Sequence, residues 1–196
     1  GRGKWAYPDL QDACVAGPML VMVGSCLNAV SADSGWDCVA VSVHLDSLDV
    51  EWCTAFSGAG HGVLRGAASD GRYAYVCGEA LGRSGAELIV ARLDARTGEL
   101  DWCKAISGAR GRDVRVEGGR VYAVGTMPRE GGVGTDIVVA ELDAESGDLL
   151  SAYSVSGGAG ARLIAGACSD VGRSKESLLM TGVSYGRAGE GARAGA

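Results

Sequence analysis

The sequence predicts an all-β fold of repeated four-stranded units, and three observations lead to this prediction. One segment occurs three times, as LDARTGELDW at 93–102, as LDAESGDLLS at 142–151 and, with a shorter turn, as LDSLDVEW at 45–52. The apolar runs around these segments are short and rich in Val and Ala, as half-buried strands are. Gly or Asp-Gly turns separate the runs, and no apolar stripe at helical spacing is long enough for a helix. Strands are therefore expected along the whole chain.

The spacing of the copies sets the size of the repeat. Each copy ends in a short segment, AFSG at 55–58, AISG at 105–108 and SVSG at 154–157, whose serines are 50 and 49 residues apart. Two apolar runs precede each ending and two more follow it. Four antiparallel strands per repeat, at a period of ~40–50 residues, indicate the blades of a β-propeller.

The predicted β-propeller is a single domain over 1–196 with about four blades. The blades are expected at 11–57, 61–107, 112–156, and 162–196 together with 4–7. The two ends of the chain would thus complete the last blade between them, which has a physical reason because unpaired edge strands invite aggregation. The alternative is half of an eight-bladed ring, either a fragment or one member of a pair.

The most complete copy of the repeat has the pattern Asp-x-x-Thr-Gly-x-x-x-Trp, at Asp94, Thr97, Gly98 and Trp102. This pattern resembles the blade signature of the quinoprotein-type (PQQ-like) β-propeller repeat and of related bacterial and archaeal repeats. The resemblance implies that Asp and Thr hold the turn, that Gly adopts a backbone shape other residues resist, and that Trp packs between blades. The other two copies keep parts of the pattern, at Asp143 and Gly147 and at Asp46 and Trp52.

The quinone cofactor of that family is not expected here, and neither is any other cofactor. Enzymes of this resemblance have a larger ring, an adjacent Cys-Cys pair, and metal-binding acids and amides near the axis. This chain has seven Cys, none of them adjacent, and its only amides are Asn28 and Gln11. No two Cys have the Cys-x2-Cys spacing of zinc sites and redox motifs, so no metal site is predicted.

The histidines and the repeated acids do not form a pattern typical of catalysis. Asp46, Asp94 and Asp143 recur because the turn needs them, which indicates a structural role. His44 occupies a strand position where the other repeats carry Arg or Glu, so we expect that position to face solvent. Gly-Lys-Ser/Thr and His-Glu-x-x-His motifs are absent from the sequence, and the Gly-x-Ser-x-Gly match GVSYG at 182–186 overlaps a predicted strand and does not open a helix. We therefore predict no catalytic residue and no enzymatic activity.

A binding surface is expected on the propeller face that carries the loops between second and third strands and between blades. The candidates on this face are Trp36, His61, Met127, Arg129, Glu130 and Tyr185. Trp36 is the strongest candidate because it is an aromatic residue in an otherwise polar loop. The alternative is that its ring folds back onto the hairpin.

Cys26 and Cys38 end one apolar run and begin the next, on either side of the same loop. They could face each other across a hairpin, which makes a disulfide one hypothesis and two buried thiols the other. An odd number of Cys leaves at least one outside any internal pair. The cellular location stays open, with an extracellular or cell-surface location favoured.

Charge and hydropathy limit the partners of the protein. The net charge is −6 and the basic residues are spread out, which argues against nucleic acid. No apolar stretch approaches the ~18 residues of a membrane span, and the first residues lack the apolar core of a signal peptide. The Arg-rich, amide-poor composition fits a heat-adapted source and fits high genomic GC content equally well.

The expected function is that of a non-catalytic β-propeller scaffold for protein–protein interaction or assembly, with a protein partner or self-assembly. One alternative is a propeller that binds a small ligand or carbohydrate on its loop face. Another is an enzyme, or a fragment of a larger propeller enzyme. The fold alone does not choose among these, because propellers carry many unrelated functions.

Overall fold

The computed structural model describes residues 6–31, 34–56, 60–82, 85–129, 134–156, 162–165 and 182–185, with side chains in all of these except 6–7 and the last two ranges. The first sheet contains β1 (Ala6–Ala16), β2 (Met19–Leu27), β3 (Trp36–His44) and β4 (Val50–Phe56). The second contains β5 (Gly62–Ser69), β6 (Tyr73–Gly82), β7 (Gly85–Asp94) and β8 (Leu100–Ser107). The third contains β9 (Arg110–Glu117), β10 (Arg120–Pro128), β11 (Thr135–Asp143) and β12 (Leu149–Val155), followed by β13 (Arg162–Ala165) and β14 (Gly182–Tyr185).

Each group of four strands forms an antiparallel sheet in chain order, which confirms the predicted all-β blades. The first strands of neighbouring sheets lie side by side. The backbone N–H of Ala67 in β5 donates to Asp12 Oδ2 of β1 at 2.9 Å. On its other side, β5 comes so close to β9 that a Cβ on Gly66 would lie 2.7 Å from Asp113 Cα. Three complete blades are described, as in a partial propeller. No helix in the described ranges is long and apolar enough to cross a membrane.

The predicted closure of a fourth blade by residues 4–7 is wrong at Ala6 and Tyr7. β1 begins at Ala6, which lies opposite Leu27 of β2, so these residues belong to the first strand of the first blade. The tight turn between β1 and β2 brings the two strands together, and their pairing extends along the whole of β2. Lys4 and Trp5 lie outside the described residues, as does most of 162–196.

The described parts of 162–196 extend the third sheet. β13 and β14 pair antiparallel, with Arg162 opposite Tyr185. β13 also pairs in parallel with β11, where Arg162 lies opposite Thr135. The count of four blades, the eight-bladed alternative and the single-domain boundaries stay predictions.

The core lies between the blades. Val23, Cys38 and Ala40 of the first blade pack with residues of the second blade such as Leu64 and Ile89. The opposite face of the second blade packs against the third, and the residues of that cluster include Cys77, Leu88, Val90, Val114, Ala123 and Ala140. Because both faces of the second blade are covered, β6 and β7 are buried along most of their length.

Of the two hypotheses for Cys26 and Cys38, the structure does not contain the disulfide. In the β2–β3 ladder Cys38 lies opposite Ser25, and Cys26 lies opposite Asp37. Successive residues of a strand point to opposite faces, so the two thiols lie on different sides of the sheet. Both thiols are buried, and burial raises the pKa of Cys38 to about 12. They are the two buried thiols of the alternative hypothesis.

A Trp in the outer strand of each of the first two blades contacts the repeated turn of the next blade. Trp52 Nε1 donates to the carbonyl oxygen of Ala95 at 2.9 Å, and Trp102 Nε1 donates to that of Ala144 at 3.3 Å. Ala95 and Ala144 each follow the Asp that begins the turn. We call this contact the Trp–turn contact.

The glycine of the turn makes room for the indole. Gly98 and Gly147 both have φ +71°, a conformation that favours Gly. A Cβ on Gly98 would lie 2.5 Å from Trp52 Cδ2, and one on Gly147 would lie 2.7 Å from Trp102 Cδ2. Glycine is therefore required here both by the backbone and by the neighbouring ring.

Arg92 strengthens the contact between the second and third blades. We expected its strand position to face solvent, but the Arg92 side chain is buried. Its guanidinium pairs with Asp101, donates to the carbonyl oxygen of Ala144 at 2.6 Å and lies 4.3 Å from the ring centre of Tyr73. The expectation was wrong because the long side chain reaches the turn of the next blade, where its charge is paired.

The turn itself is held by its Asp. Asp94 Oδ1 accepts hydrogen bonds from the backbone N–H groups of Arg96 and Thr97 at 2.9 and 3.0 Å. Partial burial opposes ionisation of Asp94, but these hydrogen bonds outweigh it and lower its pKa below the ordinary value. Asp143 makes the same two bonds, with Glu145 and Ser146.

We predict that Gly147→Ala destabilises the protein by about 1–3 kcal/mol more than Gly108→Ala, because only the first adds a methyl group against a packed indole. Gly108 is the matched control: its φ is +79°, and a Cβ there would meet nothing within 4 Å. Urea unfolding followed by circular dichroism measures both. Equal losses in the two variants would contradict the proposed role of the Trp102 ring.

We predict that Asp94→Asn makes stability less dependent on acid pH. The folded-state pKa of Asp94 is below the ~3.9 of an unfolded chain. Its carboxylate therefore stabilises the fold above about pH 4, and this contribution is lost as the pH falls through the folded pKa. Asn keeps the accepting oxygen but does not titrate. Unfolding free energies between pH 7 and pH 2 test this, with Glu99→Gln in the same turn as control; a slope unchanged from wild type in Asp94→Asn would refute it.

Candidate functional site

Each blade has a β-bulge at the same place in its first strand. The pairing skips one residue between Leu10 and Asp12, between Leu64 and Gly66, and between Gly111 and Asp113. The skipped residues are Gln11, Arg65 and Arg112. A bulge re-aims the side chain of its extra residue, so three polar side chains recur at equivalent positions of adjacent strands.

A glycine in the second strand of each blade permits the bulge. Gly24, Gly78 and Gly125 lie beside it, and a Cβ on them would come within 1.9, 2.0 and 2.3 Å of a carbonyl oxygen of the first strand. These contacts are too close for any other residue. Glycine inside an apolar strand is a sequence sign of close backbone approach, so this signal could have located the bulges.

Next to the bulges a pocket opens between the first two blades, with a cavity volume of about 380 Å³. This size is typical of sites for small molecules. Residues from all three blades form its wall: Asp9, Gln11, Ser25, Trp36, His61, Gly62, Val63, Arg65, Glu79, Ala80, Leu81, Ala86 and Arg110.

Trp36 and His61, two of the predicted binding residues, meet at this pocket. The backbone N–H of Trp36 donates to His61 Nδ1 at 3.1 Å, and the carbonyl oxygen of His61 accepts from Leu81 N–H at 2.8 Å. Since Nδ1 is an acceptor, the neutral ring carries its proton on Nε2. Gly35 precedes Trp36 with φ +77°, and a Cβ there would lie 2.8 Å from His61 Cε1. The Trp36 side chain is 37% exposed.

Two other predicted binding residues, Arg129 and Met127, are not part of this wall. Arg129 follows the end of β10 in the third blade, and its Nη2 donates to Asp136 Oδ1 of β11 at 2.7 Å. Met127 packs against the core between the second and third blades. Tyr185 lies in β14, and Glu130 lies outside the described residues.

In the pocket wall, two guanidinium groups, those of Arg65 and Arg110, bind one carboxylate, a cluster that the sequence did not predict. Glu79 Oε1 accepts from Arg65 Nη2 at 2.6 Å, and Glu79 Oε2 accepts from Arg110 Nη1 at 3.2 Å. The Glu79 side chain is mostly buried. Burial opposes its ionisation, but the hydrogen bond and charge of Arg65 and the charges of Arg112 and Arg110 lower its pKa. Glu79 is therefore held in its charged form.

The guanidinium of Arg112 is not part of the pocket wall, but its charge acts on the same carboxylate. Its Nε is buried and has no hydrogen-bond partner among the described residues. Burial and the charges of Arg65 and Arg110 lower the pKa of Arg112, and Glu79 opposes them. Within the described ranges, no group of three or more His, Cys, Asp or Glu side chains is arranged to hold a metal ion.

The fold that carries this pocket is a β-propeller, and solved structures with similar folds are propeller proteins. No protein-family model and no curated protein matches the sequence. The β-propeller domain of the Trilobed protease from Pyrococcus furiosus is 16% identical with a TM-score of 0.49, over 84% of this chain and 47% of that one. Acylaminoacyl peptidase from Pyrococcus horikoshii is 15% identical with a TM-score of 0.47, over 81% of this chain and 26% of that one. BamB from Moraxella catarrhalis is 17% identical with a TM-score of 0.40, over 77% and 41%. The chain thus spans less than half the length of each.

Proposed function

We propose that the protein is a non-catalytic β-propeller scaffold, with blades of the quinoprotein-type repeat, that binds a partner protein at the outer strand of its third blade. The observation that carries the proposal is the character of β12. Leu149–Val155 contains no charged residue, whereas β4 contains Glu51 and β8 contains Asp101 and Lys104. Charged residues on an outer strand oppose pairing with other chains, and β12 lacks this protection.

The apolar side chains of β12 are open to solvent. Tyr153 is 63% exposed and Leu149 is 53% exposed, with Leu150 and Val155 close behind. Tyr153 and Val155 share one face of the sheet, opposite Val139 and Ile137 of β11. An exposed Tyr beside aliphatic residues has the composition of an interface anchor.

The partner that fits β12 is an extended polypeptide strand. β12 pairs with β11 and with no other described strand. The backbone N–H and C=O groups of an outer edge accept a strand from another chain, with main-chain hydrogen bonds for affinity and side-chain contacts for specificity. Self-assembly through the same edge is the other outcome that the experiment below distinguishes.

We predict that Tyr153→Lys weakens partner binding by at least about thirty-fold, the effect of losing an interface anchor. Val50→Lys is the matched control, because Val50 is a comparably exposed apolar residue on the outer strand of the first blade. A photoactivatable benzophenone side chain at position 153 identifies what contacts β12. An adduct between two copies of the chain indicates self-assembly, and an adduct with one other protein identifies the partner, whose affinity for each variant is then measured. If Tyr153→Lys and Val50→Lys bind that partner equally, β12 is not the binding surface.

A second candidate function, small-ligand binding, is favoured by the pocket between the first two blades. Trp36, His61 and Leu81 give its wall aromatic and apolar surface, and Arg65 and Glu79 give it charged groups. This combination of an apolar wall with a few convergent polar groups is typical of ligand sites. Its aromatic component is Trp36, which is exposed and therefore available for stacking.

We predict that Trp36→Ala abolishes small-molecule binding in the pocket and that Trp36→Phe retains most of it, because either ring supplies a stacking face. Ligand-observed NMR with a mixture of simple sugars and small aromatic compounds measures binding. The control is the unfolding curve of each variant, which should match the wild type because Trp36 is a surface residue. Undiminished binding by Trp36→Ala would contradict the assignment.

A further inference from the structure

We propose that the pocket binds a neutral sugar ring, which stacks on Trp36 and is hydrogen-bonded by Asp9 and Ser25. This inference rests on the ligand-binding function proposed for the pocket and names the class of its ligand. Three features of the wall carry it: its charges cancel, several of its hydrogen-bonding groups have no partner, and its exposed aromatic ring stands on the same sheet face as two of those groups.

The charges of the pocket wall cancel. Its ionised side chains are two carboxylates and two guanidinium groups, those of Asp9, Glu79, Arg65 and Arg110. Glu79 accepts from both arginines, at 2.6 and 3.2 Å, so these three groups form one ion cluster within the wall. Because an unbalanced charge is costly to bring out of water, a wall without net charge favours a ligand without net charge.

Hydrogen-bonding groups of the first blade are open in this wall. Asp9 Oδ2 accepts from the Gln11 amide at 2.7 Å, but Asp9 Oδ1 accepts from no described residue. Ser25 is only 5% exposed, and its hydroxyl has no hydrogen-bond partner among the described residues. A hydroxyl on a nearly buried residue costs free energy unless it is hydrogen-bonded. Ser25 therefore favours a ligand that brings a polar group to it.

The imidazole of His61 adds a donor from the second blade. Its Nδ1 accepts from the backbone N–H of Trp36 at 3.1 Å, which leaves the proton on Nε2. That N–H donates to none of the residues that the structure describes. A hydroxyl group both donates and accepts, so the hydroxyls of one ligand match a carboxylate, a serine and an imidazole N–H alike.

The strand register places the open groups and the aromatic ring on one face of the first sheet. Asp9 lies opposite Ser25 in the β1–β2 ladder, and Trp36 lies opposite Leu27 in the β2–β3 ladder. Ser25 and Leu27 are two residues apart in β2, so their side chains and those of their partners stand on the same face. A pyranose ring has an apolar face of C–H groups and a rim of hydroxyls. It therefore covers the indole with its apolar face while its hydroxyls meet Asp9 and Ser25.

Other classes of ligand match the wall less completely. An aromatic compound without hydroxyls covers Trp36 and Leu81 but leaves Asp9 Oδ1 without a donor. A charged ring of the same shape adds one charge to a wall that has none in excess. A neutral ring with several hydroxyls meets both conditions, and the cavity of about 380 Å³ has the size of a small-molecule site.

Ligand-observed NMR titration of the full chain tests the proposal with two matched series of probes. Cyclohexanol, cis-1,2-cyclohexanediol and the methyl glycosides of glucose, galactose and mannose share a six-membered ring and differ in their hydroxyls. The best-binding hexose, its 2-amino derivative and its uronic acid differ in charge. We expect one methyl glycoside to bind at least about tenfold more tightly than cyclohexanol, because hydrogen bonds to a charged acceptor are added to apolar contact. We expect the neutral hexose to bind more tightly than either charged form.

The possible results separate this inference from the proposed function. Equal binding of cyclohexanol and the glycosides would overturn the sugar assignment but leave the pocket a ligand site. Tighter binding of the amino sugar or of the uronic acid would overturn the assignment of a neutral ligand. No saturable binding by any probe would overturn both the sugar assignment and the ligand-binding function of the pocket.

Two variants assign the effect to named side chains. Asp9→Asn should weaken binding of the best sugar at least about tenfold, because it replaces a charged acceptor and keeps the shape of the side chain. Ser25→Ala should weaken sugar binding and leave the affinity for cyclohexanol unchanged, because it removes only the hydroxyl. Asp49→Asn is the matched control, since Asp49 is an exposed aspartate of the same blade outside the pocket wall. Unchanged sugar affinity in Asp9→Asn, or an equal loss in Asp49→Asn, would overturn the assignment.

Thermal unfolding separates a binding role of Asp9 from a structural one. Without sugar, Asp9→Asn should melt at the same temperature as the wild type, because Asn keeps an oxygen that accepts from Gln11. The best sugar should raise the melting temperature of the wild type and raise that of Asp9→Asn less. A lower melting temperature for Asp9→Asn without sugar, with the full effect of the sugar retained, would show that Asp9 serves the fold alone.

Discussion

The Trp–turn contact is the interaction on which the arrangement of the blades depends. A four-stranded sheet with two apolar faces is stable only when both faces are covered, and the second blade achieves this between its two neighbours. Trp52 and Trp102 each hold the next blade through the carbonyl oxygen of its turn. Gly98 and Gly147 let the rings approach. The first strands of the three blades lie side by side, and the pocket forms next to their bulges.

The contact is not repeated at the ends of the described array. In the third blade Ser151 stands in place of the Trp, and its hydroxyl donates to Glu141 at 2.8 Å. In the first blade the turn is shorter and has no glycine; Leu48, with φ +59°, is 74% exposed. The second described blade is therefore joined to both neighbours by the Trp–turn contact, and the outer sides of the first and third blades present different surfaces. The exposed uncharged strand β12 belongs to one of these ends, which is why we propose it, and not the outer strands of the other blades, as the surface for a partner.

Much of the fold could be predicted, because its signals are local and repeated. Alternating apolar runs, turn glycines and the repeated Asp identify strands and blades without knowledge of their contacts. Two predictions failed for non-local reasons. Cys26 and Cys38 are symmetric in sequence, but the register places them on opposite faces of the sheet. Residues 4–7 were expected to complete the last blade, but the pairing of Ala6 with Leu27 of β2 makes Ala6 and Tyr7 part of the first strand of the first blade. Sequence similarity between short segments does not determine which strand they pair with.

The sequence alone determined the all-β class, the four-stranded unit and the placement of Trp36 and His61 on the same loop face, because these depend on periodicity and turn chemistry. Only the tertiary structure decided that Trp36 and His61 meet at a pocket, and that Arg65 and Arg110 bind Glu79 in its wall. Arg65 and Arg110 come from different blades and reach the same carboxylate because the blades pack side by side. A charge cluster of this kind depends on distances between strands that are far apart in the chain, and no local pattern encodes those distances.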